Sequence, residues 1–407
     1  MKRQRERLTF LALLAAFSGT FAQNASQTAN PLQDDSIPFL HRNHLFVQAT
    51  VNDSVDCRLV FDTGAANILG VDSVFLTQTN WKPKVNGRAS SGGNAGRTIV
   101  QAIFTIKKPT EVSFENHTES YQVIPIYQLR DIAGRYADGI WGLKDIYQYP
   151  FELNFEHSFM KLYKKGKPNL EGYERIPIQS ENNRILLEAE VMVGGKSIKG
   201  TYLMDTGSPG VVHFTAAAAE KFQMDSIPGK RSVCDAMRNG LGNQTNVSNV
   251  RMKSDYIVLG GDTIRDKTVE YSPNGVGTLG DVNQYLGLIG NRIWSSYNLV
   301  VDVQNKALYL KRFKADAPEN HSYDYTFKNR TDIGPGWVVH SLIHDGDAAR
   351  GGMELGDTIT AVNGRNVASY TWEEEFRIYE KPVQVLDIKG RNGEIKHVVL
   401  EKRAYWR

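Results

Sequence analysis

The chain has 407 residues, 41% apolar and 23% charged, which gives room for two or three globular domains of ordinary soluble composition. Its formal charge of +3 arises within the first seven residues, where Lys2, Arg3, Arg5 and Arg7 outnumber Glu6. The remainder is neutral, which argues against nucleic acid as a partner.

In chain order, the basic start precedes an apolar run from Leu8 to Phe17 and then Thr20-Phe21-Ala22. This reads as a cleavable secretory signal over 1–22, implying export to the periplasm or the medium of a bacterium. The run is too short for a stable membrane span, and no span is expected after cleavage. Residues 23–36 are polar and read as a flexible lead. Leu45 to Val51 alternates as a strand and leads into Val60-Phe61-Asp62-Thr63-Gly64-Ala65. The glycine-rich stretch Ala89–Gly96 follows, then Gly139-Ile140-Trp141-Gly142 and a hairpin pattern over 151–163.

The same series then recurs. Leu186 to Val193 alternates, Leu203-Met204-Asp205-Thr206-Gly207-Ser208 follows, Arg238–Asn243 is glycine-rich, and Gly287-Leu288-Ile289-Gly290 precedes a hairpin pattern over 297–309. The separation from aspartate to closing glycine is 80 residues in the first series and 85 in the second. A single Asp-Thr-Gly is a common turn, but a repeat of its whole context marks an internal duplication over about 37–313. Each aspartate ends an apolar strand, so two such tips facing one another make a carboxylate dyad. Like charges that close cannot both ionise cheaply and hold one proton between them, so one member can deprotonate a water while the other protonates an amide.

These residues resemble the aspartic proteases of the retropepsin and pepsin type, with both lobes in one chain. The motif falls on Asp62 and Asp205, and the later apolar-glycine motif on Gly142 and Gly290. The resemblance implies a mostly β fold of two pseudo-symmetric lobes of the double-psi β-barrel type, at 37–170 and 171–313. It implies that Asp62 and Asp205 are catalytic, that Thr63 and Thr206 cross-bond beneath them, and that Gly64 and Gly207 allow close backbone approach. The plainer alternative is that both threonines satisfy their own turns. Ser208 can donate a hydroxyl bond to the second carboxylate and Ala65 cannot donate to the first, which predicts Asp205 as the more readily ionised member. Ser91, Gly92 and Gly93 in the first lobe, and Gly240 and Gly242 in the second, are the expected flap residues over a bound peptide. Ordinary hairpin loops are the alternative.

Two cysteines, Cys57 and Cys234, fall in different lobes, and the sequence does not decide whether they pair. After a polar linker at 314–321, residues 322–404 resemble a PDZ domain of bacterial exported proteases, through Leu355-Gly356-Asp357 and Asn363-Gly364. Gly334, Gly336 and Trp337 are candidates for its carboxylate-binding loop, which would capture a peptide C-terminus, although Trp337 serves equally well as the opening of a core strand. No metal or cofactor is expected, since His340 and His344 lack a third ligand and no phosphate-binding or serine-nucleophile motif occurs. The expected protein is an exported, monomeric aspartic endopeptidase acting on protein or peptide substrates. The alternative is a catalytically silent peptide-binding scaffold of the same fold.

Overall fold

In the strand Val55–Phe61, Cys57, Leu59 and Phe61 join the core while Val60 packs on the opposite face. This period of two fixes which side of each sheet is apolar and where the strand-end residue points. The computed structural model describes residues 36–404 apart from 66–67, 92–98, 116, 143, 182, 238–245, 274–278, 280–281 and 316–320. The residues read as a signal and nearly all of those read as a lead lie outside the described residues, although Ser36, the last of the latter, already opens the first strand.

The chain is mostly β. The first half contains Ser36–Arg42 (β1), His44–Val51 (β2), Val55–Phe61 (β3), Leu69–Asp72 (β4), Lys84–Ser91 (β5), Ile99–Ile106 (β6), Thr110–Phe114 (β7), His117–Tyr121 (β8), Ile124–Tyr127 (β9), Gly139–Trp141 (β10), Phe151–Asn154 (β11) and Phe159–Leu162 (β12). The second half contains Glu174–Glu181 (β13), Arg184–Val193 (β14), Lys196–Met204 (β15), Val212–Phe214 (β16), Arg231–Ala236 (β17), Val247–Lys253 (β18), Tyr256–Leu259 (β19), Asp262–Arg265 (β20), Thr268–Tyr271 (β21), Gly287–Ile289 (β22), Tyr297–Asp302 (β23) and Ala307–Arg312 (β24).

The pairings repeat with an offset of twelve strands. β10 lies parallel to β3 and antiparallel to β4, and β22 lies parallel to β15 and antiparallel to β16. The hairpin β5–β6 recurs as β17–β18, and the parallel pair β4–β9 as β16–β21. Small residues are required where β10 and β22 thread between their neighbours. A Cβ on Gly139 would lie 2.6 Å from the Gly70 carbonyl oxygen, and one on Gly287 would lie 2.6 Å from that of His213. The halves join through a six-stranded antiparallel sheet, β1-β12-β11-β23-β24-β13, with the β11–β23 pair at its centre.

The C-terminal part contains His321–Ser322 (β25), Tyr325–Asn329 (β26), Trp337–Ile343 (β27), Thr358–Val362 (β28), Arg365–Asn366 (β29), Val383–Lys389 (β30), Ile395–Glu401 (β31) and Arg403–Ala404 (β32), with short helices at Asp347–Arg350 and Trp372–Phe376. It has its own core, in which Trp337, Val339, Ile359, Leu386 and Ile388 are buried. Cys57 and Cys234 form no disulfide; both are buried, one on β3 and one on β17.

The C-terminal part docks on the first lobe around Arg130, in the helix Arg130–Ala133. Its buried guanidinium reaches Asp138 (3.0 Å), Asp332 of the C-terminal part (2.7 Å) and the carbonyl of Ala137, with Asp72 at 3.8 Å. Removing one partner of a buried ionic network strands the others without compensation. Arg130→Met is therefore expected to cost about 3–5 kcal/mol in urea unfolding. A loss below about 1 kcal/mol would mean that the three carboxylates are solvated without it.

Candidate active site

β3 and β15 end at Phe61 and Met204, so Asp62 and Asp205 are the first residues beyond two strands related by the duplication. The backbone N–H of Asp62 donates to the Trp141 carbonyl (2.9 Å), and that of Asp205 to the Ile289 carbonyl (3.0 Å). Each aspartate is thus anchored to the strand that threads its own lobe. The closing glycines complete the fastening, with Gly142 N–H on the Ile68 carbonyl and Gly290 N–H on the Val211 carbonyl, both 2.8 Å.

The two turns meet. Thr63 N–H donates to Thr206 Oγ1 (3.0 Å) and Thr206 N–H to Thr63 Oγ1 (3.1 Å). The hydroxyls donate onward to the carbonyls of Met204 (2.9 Å) and Phe61 (3.3 Å). Both threonines are buried, so the four bonds tie the strand ends of the lobes together and leave neither hydroxyl unpaired. Above them the carboxyls of Asp62 and Asp205 lie close enough for each to bear on the ionisation of the other.

Each glycine backs the opposite carboxylate. A Cβ on Gly207 would lie 2.3 Å from Asp62 Cγ, and one on Gly64 would lie 3.5 Å from Asp205 Cγ. Asp62 is fixed by backbone bonds, so the Gly207 contact cannot relax cheaply. A misplacement of about 1 Å in a reacting group is worth about 10²-fold in rate. Gly207→Ala is expected to cost peptide hydrolysis at least that factor while the far-ultraviolet circular dichroism stays unchanged. A variant with undiminished kcat/KM would show that Asp62 can move freely.

Burial pushes both acids above the usual carboxylate range. Asp205 is pushed well above it, because burial is reinforced by the charge of Asp62. For Asp62, burial is offset in part by the backbone N–H of Gly64, by the neighbouring Asp205 carboxyl and by the backbone N–H groups of Ala65 and Gly207. Asp205 accepts backbone bonds from Gly207 (2.8 Å) and Ser208 (3.0 Å). The hydroxyl bond expected from Ser208 is not the one made. The bond it gives Asp205 comes from its backbone, and its Oγ instead accepts from Gly210 N–H (3.3 Å). The shared proton belongs to the pair and not to either member.

Some contributors carried no sequence signal. Asn291 is buried and its Nδ2 donates to the carbonyls of Thr206 (2.5 Å) and Asn43 (3.2 Å). The only clue was its place directly after Gly290. His44 is buried with Nδ1 donating to the Gly207 carbonyl (3.0 Å), and burial keeps the ring neutral against the pull of that bond.

Ser91 ends β5, whereas Gly92, Gly93, Gly240 and Gly242 lie outside the described residues. The C-terminal candidates need correction. Trp337 is fully buried as the first residue of β27, stacked on Phe327 with ring centres 4.3 Å apart, and is a core residue. Gly334 N–H donates to the Arg330 carbonyl (2.7 Å), and a Cβ on Gly336 would lie 2.3 Å from the Ile359 carbonyl oxygen. The loop folds back on itself, and its Arg330, Thr331 and Asp332 bind the first lobe through Asp131, Arg135 and Arg130.

No protein-family model matches the chain, and no curated protein matches it. Among solved structures it is similar to an aspartic proteinase from Irpex lacteus, at 14% identity, 69% coverage of this chain and 97% of that one, and a TM-score of 0.41.

Proposed function

We propose that this protein is an aspartic peptidase that hydrolyses peptide bonds with a water held between Asp62 and Asp205. The observation that carries this reading is the pair of adjacent, desolvated carboxyls fixed at duplicated strand ends by the Thr63–Thr206 cross-bonds. Asp62, ionised, takes a proton from the water as its oxygen attacks the scissile carbonyl carbon. Asp205, protonated, gives its proton to the carbonyl oxygen and so neutralises the charge that develops there. Collapse of the tetrahedral adduct breaks the C–N bond as Asp62 gives its proton to the leaving nitrogen and Asp205 takes one back from an adduct hydroxyl, restoring the pair. Backbone N–H groups hold the pair in place and no reorganisation is needed.

On this reading the chain is exported to the periplasm or medium and works as a monomer, and residues 322–404 are a PDZ-type module serving substrate or partner recognition. The test is digestion of a mixed peptide library by the full chain from acid to neutral pH, read by mass spectrometry, with a peptide carrying a hydroxyl at the scissile position as inhibitor. Cleavage blocked by that inhibitor is expected. Tight peptide binding with no cleavage at any pH would instead favour a silent peptide-binding scaffold.

A further inference from the structure

Alternation along β3 places Arg58 and Val60 on the face that ends at the Asp62 carboxylate. Register sets Phe46 and Ile140 beside Val60. In the second lobe Leu203 is the equivalent residue, beside Leu186 and Leu288. Each carboxylate therefore stands at the end of a small apolar face.

The two faces are covered differently. In the second lobe the local chain does it: Leu279 and Tyr285 join Leu186, Leu203 and Leu288, and the Tyr285 hydroxyl feels the charge of Asp205. In the first lobe Tyr136 and Ala137 pack on Phe46 and Val60, and the cover is finished by Trp372 of the C-terminal part. The Trp372 ring lies flat on Tyr136 (4.4 Å between centres), edge-on to Phe46 (4.9 Å) and beneath the Arg58 guanidinium (4.6 Å). Arg58 precedes Asp62 by four residues, about 13 Å along a strand.

The same part also grips the other lobe. β27 adds antiparallel to β17, with Cys234 opposite Ile343 and Ala236 opposite Ser341. The ladder continues beyond both ends through Met237 N–H to the His340 carbonyl (2.8 Å) and His344 N–H to the Val233 carbonyl (2.9 Å). β17 is the first arm of the second-lobe hairpin that corresponds to β5–β6. One folded part thus holds the wall beside Asp62 and the hairpin arm of the opposite lobe. Its bonds on the first lobe fix it as a wall: Asp332 to Arg130 (2.7 Å), Asn329 carbonyl to Arg135 N–H (2.9 Å) and Glu375 to Tyr136 hydroxyl (3.0 Å).

We infer that residues 322–404 close one end of the peptide cleft, so that the substrate must present a chain terminus within a few residues of the scissile bond. This deepens the peptidase reading and rests on it. The consequence is cleavage near chain ends, in place of cuts within long unbroken chains.

The test uses the full chain and one cleavable core peptide in four forms: extended by ten residues at the amino end, at the carboxyl end, at both ends, and closed head to tail. Extension at one end should lower kcat/KM by at least 100-fold, extension at the other should be tolerated, and the cyclic form should survive. Trp372→Ala should partly restore cleavage of the blocked form. Similar kcat/KM for all four forms would overturn the inference and leave the peptidase reading intact. A second arm measures binding of the same peptides to Asp205→Asn, where the affinities should show the same one-ended loss and equal affinities would overturn it. If no form is cut by wild type or bound by the variant, the peptidase reading falls and the closed cleft falls with it.

Discussion

Asp62→Asn and Asp205→Asn should each lower peptide hydrolysis by at least 10²- to 10⁴-fold, the usual contribution of a positioned acid or base. Each should also melt at a higher temperature than wild type near neutral pH. The reason lies in the geometry of the pair. Two adjacent carboxyls desolvated by the same turns hold a charge the folded chain would rather not bury. Asn keeps the shape and removes the ionisable proton, so function and stability are exchanged at one position. Either substitution relieves the desolvation and like-charge repulsion within the pair, and the stabilisation is expected on the order of 1–2 kcal/mol. Calorimetry of the three proteins, with kcat/KM on one peptide, decides it. Equal destabilisation by both variants would mean that the carboxylates are net structural contributors, and undiminished turnover in either would remove that residue from the chemistry.

How far the sequence could be read depended on whether a feature is local. The aspartate turns, the threading strands at Gly139–Trp141 and Gly287–Ile289, and the hairpins after them are short patterns of alternation and glycine. Their duplication lent each copy weight that a single copy lacks. The rotamer of Ser208 is set by the Gly210 N–H two residues on, a choice that residue type does not encode. Trp337 leaves two readings open in the sequence, a binding-loop residue after glycines or the opening of a core strand, and stacking on Phe327 across the sheet decides for the second. The contacts between Asp332 and Arg130 and between Glu375 and Tyr136 join residues 202 and 239 positions apart, and no periodicity marks such pairs. The closed end of the cleft was therefore invisible in the sequence, although every residue that builds it was in view.

Acid should inactivate this protein by unfolding it. His41, His44 and His340 are held neutral in the fold: burial, with nearby cationic side chains adding to it, pushes them down to about 4, about 3 and about 3. Lys328 contributes to two of these, since its charge bears on both His44 and His340. An unfolded chain protonates all three below about pH 6.5, while the folded chain does not until pH 3–4. Over that window the unfolded state binds more protons, so stability falls as pH falls. A tenfold loss of proton affinity on folding is worth about 1.4 kcal/mol, and three partly screened histidines together reach several kcal/mol, comparable to the whole stability of a typical domain. Glu375 works in the opposite sense. Burial raises it to about 7 against the pull of its bonds from Asn329 and Tyr136, so its contribution is complete below about pH 4.5 and is lost as pH rises through 7. The carboxyl pair, also raised, adds to that alkaline limb. The urea midpoint should therefore peak between about pH 5 and 7 and collapse towards pH 4. His340→Gln should flatten the acid limb and Glu375→Gln the neutral one. A wild-type midpoint that holds steady down to pH 3 would mean that the histidines are hydrated in the fold and that acid stability is limited elsewhere.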